Sequence, residues 1–311
     1  MKVTIVGAGH VGATTAQRVA EGSIADVYLV DIMDGLAAGK ALDLAQAAPL
    51  VGHSSTITGG TDYGPAEESE VVVVTAGIAR KPGMSRDDLL TTNGKIVAEI
   101  VEQIVRVAPD AIIIMVTNPL DVTTHIAREV SGHPRARVMG MAGALDTARF
   151  RAFIGMELGC SSVDVQAMVL GGHGDSMVPL ASSATVGGVP VTQLIEPRRL
   201  EEIIQRTRDG GAEIVGLLKT GSAFYAPSAG VTDMVSSILR DEDRIMPVSV
   251  LLEGEYGIED TFVGVPVRLG AGGVEEIIEV DLSEQELSAL HASAGHVRET
   301  VQTWERLSQE G

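Results

Sequence analysis

The chain has 311 residues, of which 45% are hydrophobic and 3% are aromatic, and its formal net charge at pH 7 is −19. This length suits two domains of ordinary size, and the apolar content is typical of a packed globular protein. The negative charge excludes nucleic acid and anionic membranes as expected partners, because both are polyanions. An acidic, lysine-poor surface is typical of proteins that stay soluble in concentrated salt, although an ordinary acidic protein explains the composition equally well.

The sequence carries no signal for membrane insertion or export. No apolar run approaches the roughly 18 residues that a membrane-spanning helix needs. The chain enters a strand-like segment directly after Met1, without the basic and apolar regions of a signal peptide. Its single cysteine, Cys160, excludes an internal disulfide, and we expect it to be a buried structural thiol. These features predict a soluble cytoplasmic protein.

The first part of the chain alternates between short apolar runs and helical patterns. The apolar runs are nearly unbroken, as in parallel strands that are covered on both faces. They comprise residues 3–6, 27–31, 71–75, 111–117 and 137–141, with helical patterns at 12–21 and 90–107. Strands that alternate with helices predict a doubly wound parallel sheet of the Rossmann type.

The pattern changes in the second half of the chain. Short strand-like runs at 163–170 and 177–181 precede a hairpin signal at Gly187-Gly188, and longer runs follow at 245–252 and 261–268. Residues 198–219 read as a helix that Gly210-Gly211 should bend, and Ser283 with Glu286 forms a capping box for a final helix. We therefore predict a Rossmann domain over 1–143 and an α+β catalytic domain with antiparallel strands over 144–311.

A glycine-rich turn follows the first strand and opens the first helix. The turn is Gly7-Ala8-Gly9-His10-Val11-Gly12, in which the glycines allow a tight bend and close approach of a pyrophosphate to helix amides. Asp31 ends the second strand, where an acid that binds ribose is expected. No basic residue follows Asp31 to hold a 2′-phosphate, so the pattern favours NAD over NADP.

Residues suited to acid–base chemistry and carboxylate binding lie at the ends of later segments. Arg80 and Arg86 lie in a charged loop over residues 77–90, and Asn118 follows another strand. Asp146 and Arg149 are three residues apart, which places them on one helix face. His173 lies between glycines after an apolar run, and its ordinary pKa suits proton transfer near neutrality. Taken alone, each charged residue is more simply explained as a solvated charge or a surface ion pair, and a lone histidine in a glycine-rich loop as a residue without a catalytic role.

Taken together, these motifs resemble those of the lactate/malate dehydrogenase family, and most closely its lactate-dehydrogenase-like bacterial malate dehydrogenases. The resemblance runs from the first strand to the last helix. It is carried by Gly7 to Gly12 with Asp31, Arg80 to Arg86, Thr117-Asn118-Pro119, Leu145-Asp146-Thr147-Ala148-Arg149 and Gly171 to Asp175.

The resemblance implies a role for each residue of the site. His173 would transfer the proton of the substrate hydroxyl, and Asp146 would orient its imidazole. Arg149 would bind the C1 carboxylate through a planar two-pronged contact. Further substrate contacts would come from Arg80, Arg86 and Asn118, with Arg86 also polarising the reacting carbonyl. The NAD site would comprise Gly7, Ala8, Gly9, His10, Val11, Gly12, Asp31, Asn93, Val116 and Asn118.

The resemblance also implies the substrate, because the position of Arg80 carries arginine in malate enzymes and typically glutamine in lactate enzymes. A second carboxylate in a closed site needs a fixed cation, whereas the methyl group of pyruvate would leave that cation unpaired. The expected reaction is therefore the reversible conversion of (S)-malate and NAD⁺ to oxaloacetate and NADH. Either Ser222 or Ala223 is expected to line the substrate pocket.

Other functions remain as alternatives. An L-lactate dehydrogenase or another 2-hydroxy acid dehydrogenase is disfavoured by Arg80, and a catalytically silent NAD-binding protein would not need the whole set of site residues. A metal-dependent NAD glycosidase lacks support, because the remaining histidines show no ligand spacing, so no metal is expected. By family resemblance we expect a homo-oligomer, with a tetramer favoured over a dimer.

Overall fold

The computed structural model describes residues 1–79 and 83–310, and its largest element is a nine-stranded sheet. Six strands pair in parallel in the spatial order β3-β2-β1-β4-β5-β6. They are β1 (Lys2–Val6), β2 (Asp26–Val30), β3 (Ile57–Gly60), β4 (Val71–Val74), β5 (Ile112–Met115) and β6 (Val138–Gly140). This is the strand order of a dinucleotide-binding sheet, and the order reverses between β1 and β4.

Five helices follow or connect these strands, and a sixth is the last element of the chain. They are α1 (His10–Glu21), α2 (Leu36–Val51), α3 (Arg86–Val107), α4 (Leu120–Ser131), α5 (Gly143–Leu158) and α9 (Glu284–Glu310). Separate core clusters pack on the two faces of the sheet, which is why its strands are apolar on both sides. Within the described ranges, no helix is both long and apolar enough to cross a bilayer.

Three antiparallel strands extend the same sheet beyond β6. They are β12 (Arg244–Glu253), β13 (Glu259–Gly270) and β14 (Gly273–Ile277), and β12 pairs with β6 at Ser249 and Gly140. One hydrophobic core contains Ile5 of β1 together with Val250 of β12 and Val265 of β13. The core is therefore continuous across the predicted boundary at 143/144.

The remaining elements are the short strands β7 (Val165–Gln166), β8 (Val169–Leu170), β9 (Val178–Pro179), β10 (Thr185–Val186) and β11 (Val189–Pro190), and the helices α6 (Val191–Leu194), α7 (Pro197–Leu218) and α8 (Tyr225–Leu239). A third core cluster outside the main sheet joins α5, α6 and α7, whereas α8 packs into the first core. The strands form two small antiparallel sheets, and β10 pairs with β11 across Gly187-Gly188 as the hairpin signal predicts. The predicted fold class, a Rossmann sheet followed by an α/β part with antiparallel strands, is confirmed.

Several local predictions need correction. Cys160 is exposed, because α5 ends at Leu158 and the chain turns outward at Gly159. Helix α7 runs unbroken through Gly210, which is buried against the side chain of Arg149, and a bend at Gly210-Gly211 stays a prediction. Helix α3 begins at Arg86, one turn before the predicted start, because Ser85 and Asp88 form a capping box. The helices α2, α4, α6 and α8 and the strands β3 and β14 were not predicted.

Candidate functional site

The glycine-rich turn has the shape that a bound pyrophosphate requires. Gly7 has φ of 102°, a backbone conformation that favours glycine, and a Cβ there would lie 2.7 Å from the backbone nitrogen of Ala76. A Cβ on Gly12 would collide with the carbonyl oxygen of Gly7, so helix α1 can begin this close to β1 only with glycine. Gly9 faces open space, with no atom within 4 Å of an added Cβ. The turn therefore leaves a cradle at the helix N-terminus, which fits an anionic cofactor.

Asp31 lies at the end of β2, beside this turn. Its Oδ2 accepts a hydrogen bond from the amide of Ala8 at 2.7 Å, and its Oδ1 accepts one from the amide of Met33 at 2.9 Å. The carboxylate is half-buried, so part of it still faces solvent. Asp31 is thus fixed next to the cradle, in the position expected of an acid that binds ribose.

The first residues of α1 contact the second half of the chain. The ring of His10 stacks on that of Phe224, with centroids 5.0 Å apart, and Ser228 Oγ donates a hydrogen bond to the carbonyl of Val11 at 2.9 Å. Helix α8 therefore supports the nucleotide end of the site. Of the two candidate pocket residues that precede it, Ala223 is half-buried and Ser222 is exposed.

The ends of β4 and β5 are joined by a buried amide. Asn93 of α3 accepts a hydrogen bond from the amide of Ile78 at 2.8 Å and donates to the carbonyls of Ile78 and Asn118, the latter at 2.7 Å. The amide of Val116 is bonded to Val74 of β4, whereas the side chain of Asn118 is exposed at the edge of the sheet. Asn93 thus positions the backbone of Asn118, a contact that sequence reasoning did not anticipate. A direct contact between Asn93 and the cofactor stays a prediction.

One buried carboxylate holds the two residues that matter most for the proposed chemistry. Asp146 of α5 has 2% of its side chain exposed; its Oδ2 lies 2.9 Å from His173 Nδ1, and its Oδ1 accepts a hydrogen bond from Arg149 Nη1 at 3.0 Å. The Nε of Arg149 is buried, and within the described residues it has no hydrogen-bond acceptor. A buried donor without a partner is costly, so this guanidinium is suited to bind an external carboxylate.

The surroundings of His173 favour its protonated form. Burial alone would lower the pKa of the imidazole, but the charge and hydrogen bond of Asp146, helped by the charge of Asp121, outweigh burial and raise that pKa. Since the pKa is raised above its unfolded value of about 6.5, the resulting stabilisation is complete below that value. It is lost as the pH rises through the folded pKa. The histidine is therefore poised to hold a proton near neutrality.

Asp121 is a functional neighbour that sequence reasoning missed. It lies in the first turn of α4, is 5% exposed, and accepts hydrogen bonds from the backbone amide of His173 at 2.9 Å and from Ser249 Oγ at 2.7 Å. Burial raises the pKa of this carboxyl, and the two hydrogen bonds offset the effect only in part. Its place two residues after Pro119 could have signalled a role, because a carboxylate at that helix end is close to the strand-end site.

The remaining predicted substrate residues, Arg80 and Arg86, come from the loop predicted over residues 77–90, and Arg86 is the first residue of α3. Arg86 is exposed, and its Nη2 lies 3.8 Å from Asp175 Oδ2, two residues after His173. An exposed pair at this distance contributes little free energy, so Arg86 remains available to a ligand. Arg80 lies outside the described residues.

The strand order of the sheet and the glycine-rich turn define a dinucleotide-binding protein. The His173–Asp146 pair lies beside the buried guanidinium of Arg149, so a group that can transfer a proton is next to a group that can bind a carboxylate. Two family models match: "lactate/malate dehydrogenase, NAD binding domain" over residues 1–140 and "lactate/malate dehydrogenase, alpha/beta C-terminal domain" over 143–307. The chain therefore belongs to the lactate/malate dehydrogenase family.

Individual relatives match over nearly the whole chain. The malate dehydrogenase of Thermomicrobium roseum is 57% identical over 307 residues, which cover 99% of each chain. The malate dehydrogenase structure from Salinibacter ruber superposes with a TM-score of 0.96 at 53% identity, with 100% of both chains covered. The lactate dehydrogenase of Cryptosporidium parvum, complexed with lactic acid and nicotinamide adenine dinucleotide, has a TM-score of 0.95 at 38% identity, with 98% of both chains covered.

Replacing Asp146 with asparagine should shift the pH dependence of turnover. Asparagine keeps the size of the side chain but removes the charge that raises the pKa of His173, so that pKa should fall. Since reduction of the keto acid consumes the proton on His173, the alkaline decline of kcat/KM for oxaloacetate should move to lower pH. The control Asp164→Asn removes an exposed carboxylate and should leave the profile unchanged. An unshifted profile in Asp146→Asn would contradict this role of Asp146.

A second prediction concerns the glycine beside Arg149. A Cβ at Gly210 would lie 3.1 Å from Arg149 Cδ and 3.5 Å from Nε, so Gly210→Ala should displace the guanidinium. We expect KM for oxaloacetate to rise about tenfold, with the affinity for NADH unchanged. Gly216→Ala, in the same helix but with no atom within 4 Å of the new Cβ, is the matched control. Gly216→Ala should preserve KM and stabilise the protein by up to about 1 kcal/mol. Equal KM values in the two variants would show that the space beside Gly210 does not control the position of Arg149.

Proposed function

We propose that the chain catalyses the NAD-dependent, reversible conversion of (S)-malate to oxaloacetate. The observation that carries this proposal is the shared carboxylate of Asp146, which binds His173 at 2.9 Å and Arg149 at 3.0 Å. This contact places a proton donor and a carboxylate-binding guanidinium beside each other. The names of the relatives, malate dehydrogenase in the two most similar cases reported above, support the same reaction.

In the direction of reduction, the residues of the chain bind the keto acid and supply its proton. Arg149 binds the C1 carboxylate, and Asn118 and Arg86 contact the carbonyl oxygen, where negative charge develops. Asp146 holds Nδ1 of His173, so that Nε2 carries the proton that is transferred to this oxygen. When bound, NADH would supply the hydride for the reduction. The cradle from Gly7 to Gly12 with Asp31 would hold the adenosine half of the cofactor, and Asn93, Val116 and Asn118 its nicotinamide half.

A direct assay tests the reaction. NADH oxidation is followed optically with oxaloacetate, with pyruvate and without substrate. We expect oxidation with oxaloacetate and little with pyruvate. A preference for pyruvate would favour a lactate dehydrogenase, the alternative that the structural match to the Cryptosporidium enzyme supports. Activity with neither acid would favour a silent NAD-binding protein.

Arg80→Gln should alter the choice of substrate. The arginine is the cation that the resemblance assigns to the second carboxylate of oxaloacetate, and glutamine cannot neutralise that charge in a closed site. We expect kcat/KM for oxaloacetate to fall by about a thousandfold and that for pyruvate to rise. The ratio of the two constants is the measurement, and an unchanged ratio would remove Arg80 from this role.

Assembly and location form the second part of the proposal. We infer a cytoplasmic homotetramer, in preference to a dimer, built from chains with a nucleotide domain over 1–143 and a catalytic domain over 144–311. Leu42, Leu50 and Val51 of α2 are between 50% and 90% exposed, which supports a covering subunit. Light scattering across a salt series tests this assembly, and a monomer at every salt concentration would contradict it. Greater stability in molar than in low salt would support adaptation to salt.

A further inference from the structure

A lysine of α2 contacts the glycine-rich turn. Lys40 Nζ donates a hydrogen bond to the carbonyl oxygen of Ala8 at 2.6 Å, and the amide of the same Ala8 donates to Asp31 Oδ2 at 2.7 Å. Ala8 is therefore held on both sides, by an ammonium and by the carboxylate expected to bind ribose. The contact places a half-buried cation at the adenosine end of the cofactor cradle.

The positive charge of Lys40 has no counterion in the described part of the chain. None of the carboxylates there forms an ion pair with it, and Asp43, the other ionisable residue of α2, is exposed. The first turn of α1 carries no acidic residue either. The chain has a net charge of −19, yet Lys40 contacts this turn and not one of the many described carboxylates. Its charge is therefore suited to bind an anionic ligand.

The contact also acts on the peptide group that faces the open space at Gly9. Ala8 contributes the carbonyl and Gly9 the amide of one peptide bond, so an ammonium on the oxygen polarises the Gly9 N–H toward a bound anion. Within the described residues, no other part of the protein lies within 4 Å of a Cβ added at Gly9, which leaves the space that a phosphate would require.

We propose that Lys40 is a cofactor-binding residue, whose cation holds the glycine-rich turn and stabilises the diphosphate of NAD. This inference rests on the proposed use of NAD. It adds a side-chain charge from α2 to a site otherwise formed by the turn of α1 and by Asp31.

Titration of the protein with NADH, followed by fluorescence in the absence of substrate, tests the inference. K40M should weaken NADH binding by about tenfold, because it removes a charge-assisted hydrogen bond. K40Q, which keeps a donor without the charge, should show a similar loss. K95M removes the same charge from an exposed position on α3 and should bind within about twofold of wild type. ADP-ribose, which carries the diphosphate without nicotinamide, should show the same ranking.

The results distinguish an effect of the Lys40 charge, a structural role of Lys40 and a failure of the proposed use of NAD. Wild-type affinity in K40M would overturn the inference, and wild-type affinity in K40Q would overturn the part assigned to charge. Equal losses in K40M and K95M would show an effect of net charge and would also overturn it. The loss in K40M should shrink between low and molar salt; a constant loss would mean a structural role. A wild-type protein that binds no NADH would instead contradict the proposed function itself.

Discussion

The buried carboxylate of Asp146 is the contact on which the rest of the site depends. It is 2% exposed, and both of its oxygens are used, one by His173 and the other by Arg149. A buried charge of this kind is tolerated only when it is paired and hydrogen-bonded on all sides. The same pairing that makes Asp146 stable fixes the imidazole and holds the guanidinium of Arg149, whose buried Nε has no acceptor among the described residues. Stability and substrate binding therefore share one constraint.

This constraint can be met only because the two halves of the chain form one sheet and one core. The loop that carries His173 is tied at Gly171 to Gly264 of β13 by two backbone hydrogen bonds, of 2.8 and 3.1 Å. The carboxylate of Asp121, from the half of the sheet with parallel strands, accepts a hydrogen bond from the backbone amide of His173. It also accepts one from the hydroxyl of Ser249 on β12. The histidine is thus positioned by strands and helices rather than by its own flexible loop. Rigid elements hold catalytic geometry better than loops do.

Much of the fold was readable from the sequence where one physical effect dominates. Strands β4 and β5 are unbroken apolar runs, and the turn has steric demands at Gly7 and Gly12 that only glycine meets. Helix α2 was missed because its mostly apolar sequence shows little helical periodicity and contains Pro49. The contacts of Asp121 and Lys40 join residues far apart in the chain, at separations of 52 and 32 residues. No local pattern encodes such pairs, so the sequence alone identified neither Asp121 nor Lys40 as a site residue.

The charge balance raises a last question, since an acidic protein must attract an anionic cofactor and a dicarboxylate. Long-range repulsion from a net charge of −19 is screened over about 8 Å at physiological salt, so it acts on the approach of the ligand more than on the bound state. At contact distance the balance reverses. The site brings together the buried Nε of Arg149, which has no acceptor among the described residues, the exposed guanidinium of Arg86, which is only loosely paired with Asp175 at 3.8 Å, and the N-terminus of α1. Local placement of cations, not overall charge, therefore determines what this protein can bind.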